Sequence, residues 1–302
     1  SANTHVVESQ MCTRSWNEIE FSHVPSCAMR NYKKAFERNC AHWSSYMEGL
    51  KSGKEKVNAS VLYPYQIVKD ALVYSPDADR TLVESQWKSL PDYIGDSKES
   101  FIPVVDTSGS MTCAAGKTGT SCLNISISLG LYCSERNKSV FKDAFITFSH
   151  EPKLQYAKGS LVDRITNLDS SEWGMNTNIK AVFELILNKA TANKVSSEDM
   201  PSTILIISDM EFDASVEGVT GFDMMKALYE KSGYTIPRIV FWNVNARENN
   251  SPVTTKDSNT ALVSGFSPSI MKYLLGGQLS NLTPWNMMLE IINNKRYADI
   301  TI

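Results

Sequence analysis

Residues 101–111, FIPVVDTSGSM, join an apolar run to a cluster of oxygen-bearing side chains. Asp106, Ser108 and Ser110 follow FIPVV directly, which reads as a buried strand ending in a turn. One carboxylate and several hydroxyls are hard oxygen donors. They suit Mg²⁺ or a similar cation, Mn²⁺ or Ca²⁺. Two further loops carry donors of the same kind. Thr177 in EWGMNTNIK opens a helical pattern, and Asp209 follows the apolar run ILIIS. No nucleophile with an adjacent base stands beside these residues, so binding is expected rather than catalysis. Strand-Asp-Thr-Ser-Gly-Ser is also an ordinary turn sequence, and the three loops together are what lift it above that reading. Glu211 and Asp213 read as solvated turn residues beside the third loop, and Trp173 as packing within the second.

The elements that must position these loops change character along the chain. Residues 1–98 have a helical texture. Met29, Tyr32, Phe36, Trp43, Tyr46 and Leu50 recur at mostly three- and four-residue intervals through AMRNYKKAFERNCAHWSSYMEGLKSGK, which reads as a single helix closed near Gly53. YPYQIVKDALVY and TLVESQWKSL follow as two more, the first with Pro64 in its opening turn and the second stopping before Pro91. Residues 99–302 alternate strand and helix. IPVV, AFITFS, TILIIS, RIVFWNV and TALVSGF are the strands, with helices near 121–136, 160–168, 177–191, 221–232, 268–275 and 284–295. Their strands are apolar without polar alternation, which predicts burial on both faces and a doubly wound, mostly parallel α/β sheet flanked by helices. In such sheets ligands bind outside the carboxyl ends of the strands, where the three oxygen-bearing loops fall. Phe241 and Trp242 lie inside a strand and read as core.

Bulk properties narrow the function classes. A net charge of -3 over 302 residues gives no global electrostatic footprint for nucleic acid or an anionic membrane. No apolar run reaches the length of a membrane span, SANTHVVESQ lacks an apolar signal core, and no membrane partner is expected. The six cysteines include no CxxC pair and read as reduced thiols of a cytoplasmic-type compartment. AAGKTGTS invites a phosphate-loop reading with Lys117 as its lysine. The spacing fails, because Met111 stands where GxxxxGK requires glycine, and nucleotide hydrolysis is the weaker alternative.

DTSGS fits the D-x-S-x-S signature of the von Willebrand factor A fold. Thr177 and Asp209 match that family's second and third loops, with one extra residue between Gly174 and Thr177. The resemblance implies a Rossmann-like sheet and a metal-ion-dependent adhesion site of Asp106, Ser108, Ser110, Thr177 and Asp209. It further implies that the cation docks an acidic group of a protein partner. A departure is MTCAAGKTGTSC, which lengthens the connection from the signature to the next helix. Over a longer span, WNEIEFSHVPSCAMRNYKKAF, LKSGKEKVNASVLYPYQIV, VVDTSGSM, SLGLYCSE, PSTILIISDMEFD, RIVFWNVNA and VSGFSPSIMKYLL resemble the DUF2828 family from Trp16 to about Leu275. Members of that family come from plants, fungi and large DNA viruses and are usually longer; with the reduced thiols, a cytoplasmic protein is expected, or a virion-associated one if the source is viral. Helices followed by an A domain also resemble the TROVE/Ro architecture, which implies RNA as an alternative partner, with Arg30, Lys33, Lys34 and Arg38 as the basic residues available to phosphate.

Overall fold

The computed structural model describes residues 6–72, 80–97, 99–116, 118–148, 152–169, 179–210, 218–245, 259–277 and 283–293. The chain divides into two compact units, Ser1–Pro91 with Ser160–Val162, and Asp92–Gly159 with Asp163–Ile302, and each has an apolar core among the described residues.

The first unit is built from helices α1 (Val7–Cys12), α2 (Ser26–Asn39), α3 (Trp43–Ser52), α4 (Pro64–Ala71) and α5 (Thr81–Lys88). Its core gathers Phe21, Met29, Phe36, Trp43, Tyr46, Leu50 and Leu82. The single helix expected from residue 28 to Gly53 is two helices. Cys40 adopts an extended backbone (φ -98°, ψ 114°) and ends α2. The seven-residue step from Phe36 to Trp43 preserves helical phase, so the periodicity conceals the break. Asn17 Oδ1 takes up one freed backbone group, accepting from the Ala41 N–H at 3.3 Å, and the His42 ring at the bend meets the Ile19 carbonyl at 2.9 Å. The bend lets Phe36 and Trp43 both face Phe21, with ring centroids 5.4 and 5.1 Å away, edge-on in each case. Gly53 (φ 75°) then ends α3 in the left-handed conformation that glycine adopts at least cost.

The second unit alternates β1 (Phe101–Asp106), α6 (Cys122–Arg136), β2 (Ala144–Phe148), β3 (Lys153–Tyr156), α7 (Leu161–Asp169), α8 (Ile179–Ala192), β4 (Thr203–Ser208), α9 (Gly218–Lys231), β5 (Arg238–Asn243), β6 (Thr260–Ser264), α10 (Pro268–Leu275) and α11 (Pro284–Ile292). The strands form one sheet in the order β3-β2-β1-β4-β5-β6. All neighbouring pairs are parallel except β2 with β3. This is the doubly wound α/β class expected from the apolar strands. β3 escapes the sequence pattern because it is a four-residue edge strand whose side chains are half-buried or exposed.

Helices cover both faces of the sheet. Ile102, Val104, Ile204 and Ile206 share one core with Val182, Phe183 and Ile186 of α8 and Met225 and Tyr229 of α9. The alternate residue Val105 lies against Gly130 of α6, where an added Cβ would overlap Val105 Cγ2. α6 is held to the sheet at both ends. Ser126 Oγ donates to the Ile207 carbonyl at 3.0 Å, and Asn137 Nδ2 donates to the Phe101 carbonyl at 2.6 Å. Phe241 and Trp242 are buried as expected, and the Trp242 indole N–H donates to the Gly265 carbonyl. Strand β1 lies at the switch point of this winding, with β2 on one side and β4 on the other. The ends of β1 and β4 therefore flank the crevice where such sheets take ligands.

Candidate metal centre

Asp106 is the last residue of β1 and is fully buried. The turn that follows is shaped by its carboxylate, whose Oδ1 accepts from the Ser108 N–H at 2.9 Å. A single 3₁₀ turn, Gly109–Thr112, comes next, with Met111 fully buried beneath it as an anchor. The folded turn brings Ser108 Oγ and Ser110 Oγ to 3.0 Å. Across the crevice, β4 ends at Ser208 and Asp209 follows. Ser110 Oγ donates to Asp209 Oδ1 at a long 3.4 Å.

The backbone beyond Asp209 is sharply bent. Met210 is buried with φ at 67°, a conformation uncommon for a residue with a side chain. Its N–H donates to Ser208 Oγ at 3.0 Å, and Ser208 Oγ in turn donates to Asp106 Oδ2 at 2.6 Å. Ser208 is thus the bracket that ties the two carboxylate loops together. It follows from register: Val105 pairs with Ile207, so the next residues, Asp106 and Ser208, stand side by side. Sequence reading passed over Ser208, although its place immediately before Asp209 was the available signal.

The structure therefore assembles Asp106, Ser108, Ser110 and Asp209 in one crevice. Thr177, Trp173, Lys117, Glu211 and Asp213 lie outside the described residues.

The electrostatics of this cluster are those of an anionic oxygen cradle. Burial raises the Asp106 carboxyl above the ordinary carboxylate range. Hydrogen bonds from Ser208 and Ser108 pull the other way, and the neighbouring negative charge of Asp209 adds to the rise. The two carboxylates stand among neutral hydroxyl and amide donors. A small divalent cation would offset the cost of holding them together, and the donor set consists entirely of the hard oxygens that Mg²⁺, Mn²⁺ and Ca²⁺ take. Among the described residues, no three His, Cys, Asp or Glu side chains gather as a metal cluster. Among the described residues, the serine hydroxyls are the further oxygens a cation would meet beside the two carboxylates.

Comparison with known proteins places the chain in a family. Residues 100–294 match the profile of a domain of unknown function, DUF7788. The chain belongs to the DUF7788 family. Its helical part matches a second domain of unknown function, DUF2828, over residues 2–99. The DUF2828 resemblance thus holds for the helices, and the sheet with its oxygen-lined crevice is the DUF7788 part. An uncharacterized protein of Acanthamoeba polyphaga mimivirus, L728, is 30% identical to this DUF7788 chain over 311 residues, covering 96% of this chain and 52% of its own length. The chain therefore spans about half of that curated relative. The crystal structure of the Ro protein (RSR) of Deinococcus radiodurans matches 92% of this chain and 61% of its own, at 16% identity and a TM-score of 0.50. That likeness supports the Ro-like, von Willebrand A-type fold expected for the DUF7788 chain.

Proposed function

We propose that the α/β unit is a cation-dependent docking module for a protein partner. The observation that carries this reading is the meeting of Asp106, Ser108, Ser110 and Asp209 at the switch point of the sheet, bracketed by Ser208. The A-domain signature adds Thr177 of its second loop as a further expected donor. Mg²⁺, or Mn²⁺ or Ca²⁺, is the cation these donors suit, and when bound it supplies an electrophilic position for a partner's carboxylate. Asp106 and Asp209 supply the charge, Ser108 and Ser110 supply neutral oxygens, and Ser208 keeps Asp106 in place. Binding rather than catalysis is the reading, since among the described residues no nucleophile with an adjacent base stands beside these cation-holding oxygens. The protein works in the cytoplasm, or in a virion as the viral relative suggests. Among the described residues, no helix is long and apolar enough to cross a membrane.

Calorimetric titration with Mg²⁺ tests the site. The intact chain is expected to give a saturable response that Asp106→Ala abolishes, and an equal response in both proteins would sink the cation reading.

The resemblance of the sequence to the TROVE/Ro architecture carries a second reading, RNA binding by the helical unit. Arg30 is not available for it, because its guanidinium is engaged with the Asp70 carboxylate through two nitrogens. Lys34 and Arg38 remain exposed on α2. This reading expects a gel shift with structured RNA that weakens with salt, survives EDTA and falls in a Lys34→Ala/Arg38→Ala variant. A shift abolished by EDTA would count against it.

A further inference from the structure

We propose that Cys113 and Cys122 form a reversible dithiol–disulfide site, fastening the exit of the DTSGS turn to the head of α6. Their sulfur atoms lie 3.5 Å apart. The backbone between them explains the approach. Ala114 and Ser121 form an antiparallel bridge, the Ala115 N–H donates to the Thr120 carbonyl at 2.9 Å, and the Cys122 N–H donates to the Cys113 carbonyl at 3.0 Å. Cys113 and Cys122 therefore stand opposite each other next to that bridge, sharing one N–H···O bond while the Cys113 N–H turns to the Ser110 carbonyl at 3.1 Å. Opposed residues of an antiparallel ladder hold their Cα atoms about 4.5–5.5 Å apart, inside the range of roughly 4.4–6.8 Å that a disulfide spans. Closing the bond requires the sulfur atoms to approach while the backbone stays where it is.

The two thiols differ in access, which sets the order of events. Cys113 is half-buried and Cys122 fully buried. The Asn245 side-chain amide donates to Cys113 Sγ at 3.4 Å and orients it. The co-reactant is a low-molecular-weight disulfide of the glutathione class. The Cys113 thiolate attacks one of its sulfurs, breaking the S–S bond and expelling one glutathione thiolate. The Cys122 thiolate then attacks Cys113 Sγ and expels the second. Two protein thiols and one glutathione disulfide become one protein disulfide and two glutathione thiols. The protein loses two electrons, and its two thiol protons end on glutathione. The staple closes the loop that leaves the turn carrying Ser110, whose hydroxyl faces Asp209.

The test uses the full chain, equilibrated in mixtures of reduced and oxidised glutathione, quenched by alkylation, digested and analysed by mass spectrometry. A peptide joining Cys113 to Cys122 is expected to accumulate as the mixture becomes oxidising and to vanish on reduction. The apparent Tm should rise by about 4 °C, the shift a loop of this size gives in a chain of this length. Cys113→Ser removes both effects. The exposed Cys12 and Cys27 report that oxidant was active, through their mixed disulfides. The proposal is overturned if Cys12 and Cys27 take up glutathione while Cys113 and Cys122 remain free. It is equally overturned if Cys113 carries glutathione that Cys122 does not displace.

Discussion

Asp106 pays an electrostatic cost that its hydrogen bonds only partly offset. It is buried, it faces a second carboxylate, and its bonds come from a serine hydroxyl and an amide. The sign of the pH effect follows. Its folded-state pKa lies above the unfolded value of about 3.9, so the folded chain holds the proton more tightly. Metal-free protein gains from this group below the unfolded value and loses that gain as pH rises through the raised one. Asp106→Asn removes the charge while keeping an oxygen for the Ser108 N–H and an amide for Ser208 Oγ. We expect it to stabilise the metal-free protein at neutral pH by about 1 kcal/mol and to flatten this part of the pH dependence. Thermal melts in EDTA across the acid range check both effects, and an unchanged slope would remove Asp106 as their source. At this scale Asp106, Ser108 and Ser110 were legible in the sequence because they share one short turn, and Asp209 because it ends an apolar strand. Ser208 was not, since its role depends on which residue stands beside it in the next strand. The cysteines looked like separate thiols for the same reason: a local bridge, rather than their spacing, sets 113 against 122.

The elements show where pattern reading works and where it fails. β1 and β4 are buried at every position and stand out as continuous apolar runs. β3 is a short edge strand and has no such run. The break between α2 and α3 keeps helical phase while the Asn17 side chain satisfies the Ala41 N–H at the bend. Close packing of α6 on β1 was likewise invisible, because a glycine inside a helix ordinarily signals weakness rather than contact. Here Gly130 leaves room for Val105 Cγ2. Gly130→Ala should therefore destabilise the chain by about 1–3 kcal/mol, although alanine is the better helix former. Chemical denaturation measures it. Adding Val105→Ala should recover part of the loss, and strictly additive costs would show that the two positions do not touch. Asp106 adjoins Val105, so Gly130→Ala should also weaken the Mg²⁺ response.

For the whole molecule, each unit has its own core, and the family matches divide at nearly the same place, with DUF2828 ending at residue 99 and DUF7788 beginning at 100. A cation that binds only the folded crevice must stabilise the chain by mass action. At ten times its Kd the gain is about 1.4 kcal/mol, or roughly 2 °C in Tm for a chain of this length. Melts in Mg²⁺ against Na⁺ at matched ionic strength should show that rise in the intact chain and not in Asp106→Ala. Equal rises would mean that Mg²⁺ acts elsewhere. The sequence by itself determined the α/β class, the helical segment before it and the oxygen-rich loops, because burial on both faces and turn chemistry are written in local residue order. Only the tertiary structure decided that Ser110 meets Asp209 and that Ser208 holds Asp106. It also decided that Asp70 occupies Arg30 and that two thiols stand within reach of a bond. Each of these depends on strand register or chain reversal, which brings together residues whose separation along the chain carries no signal of the contact.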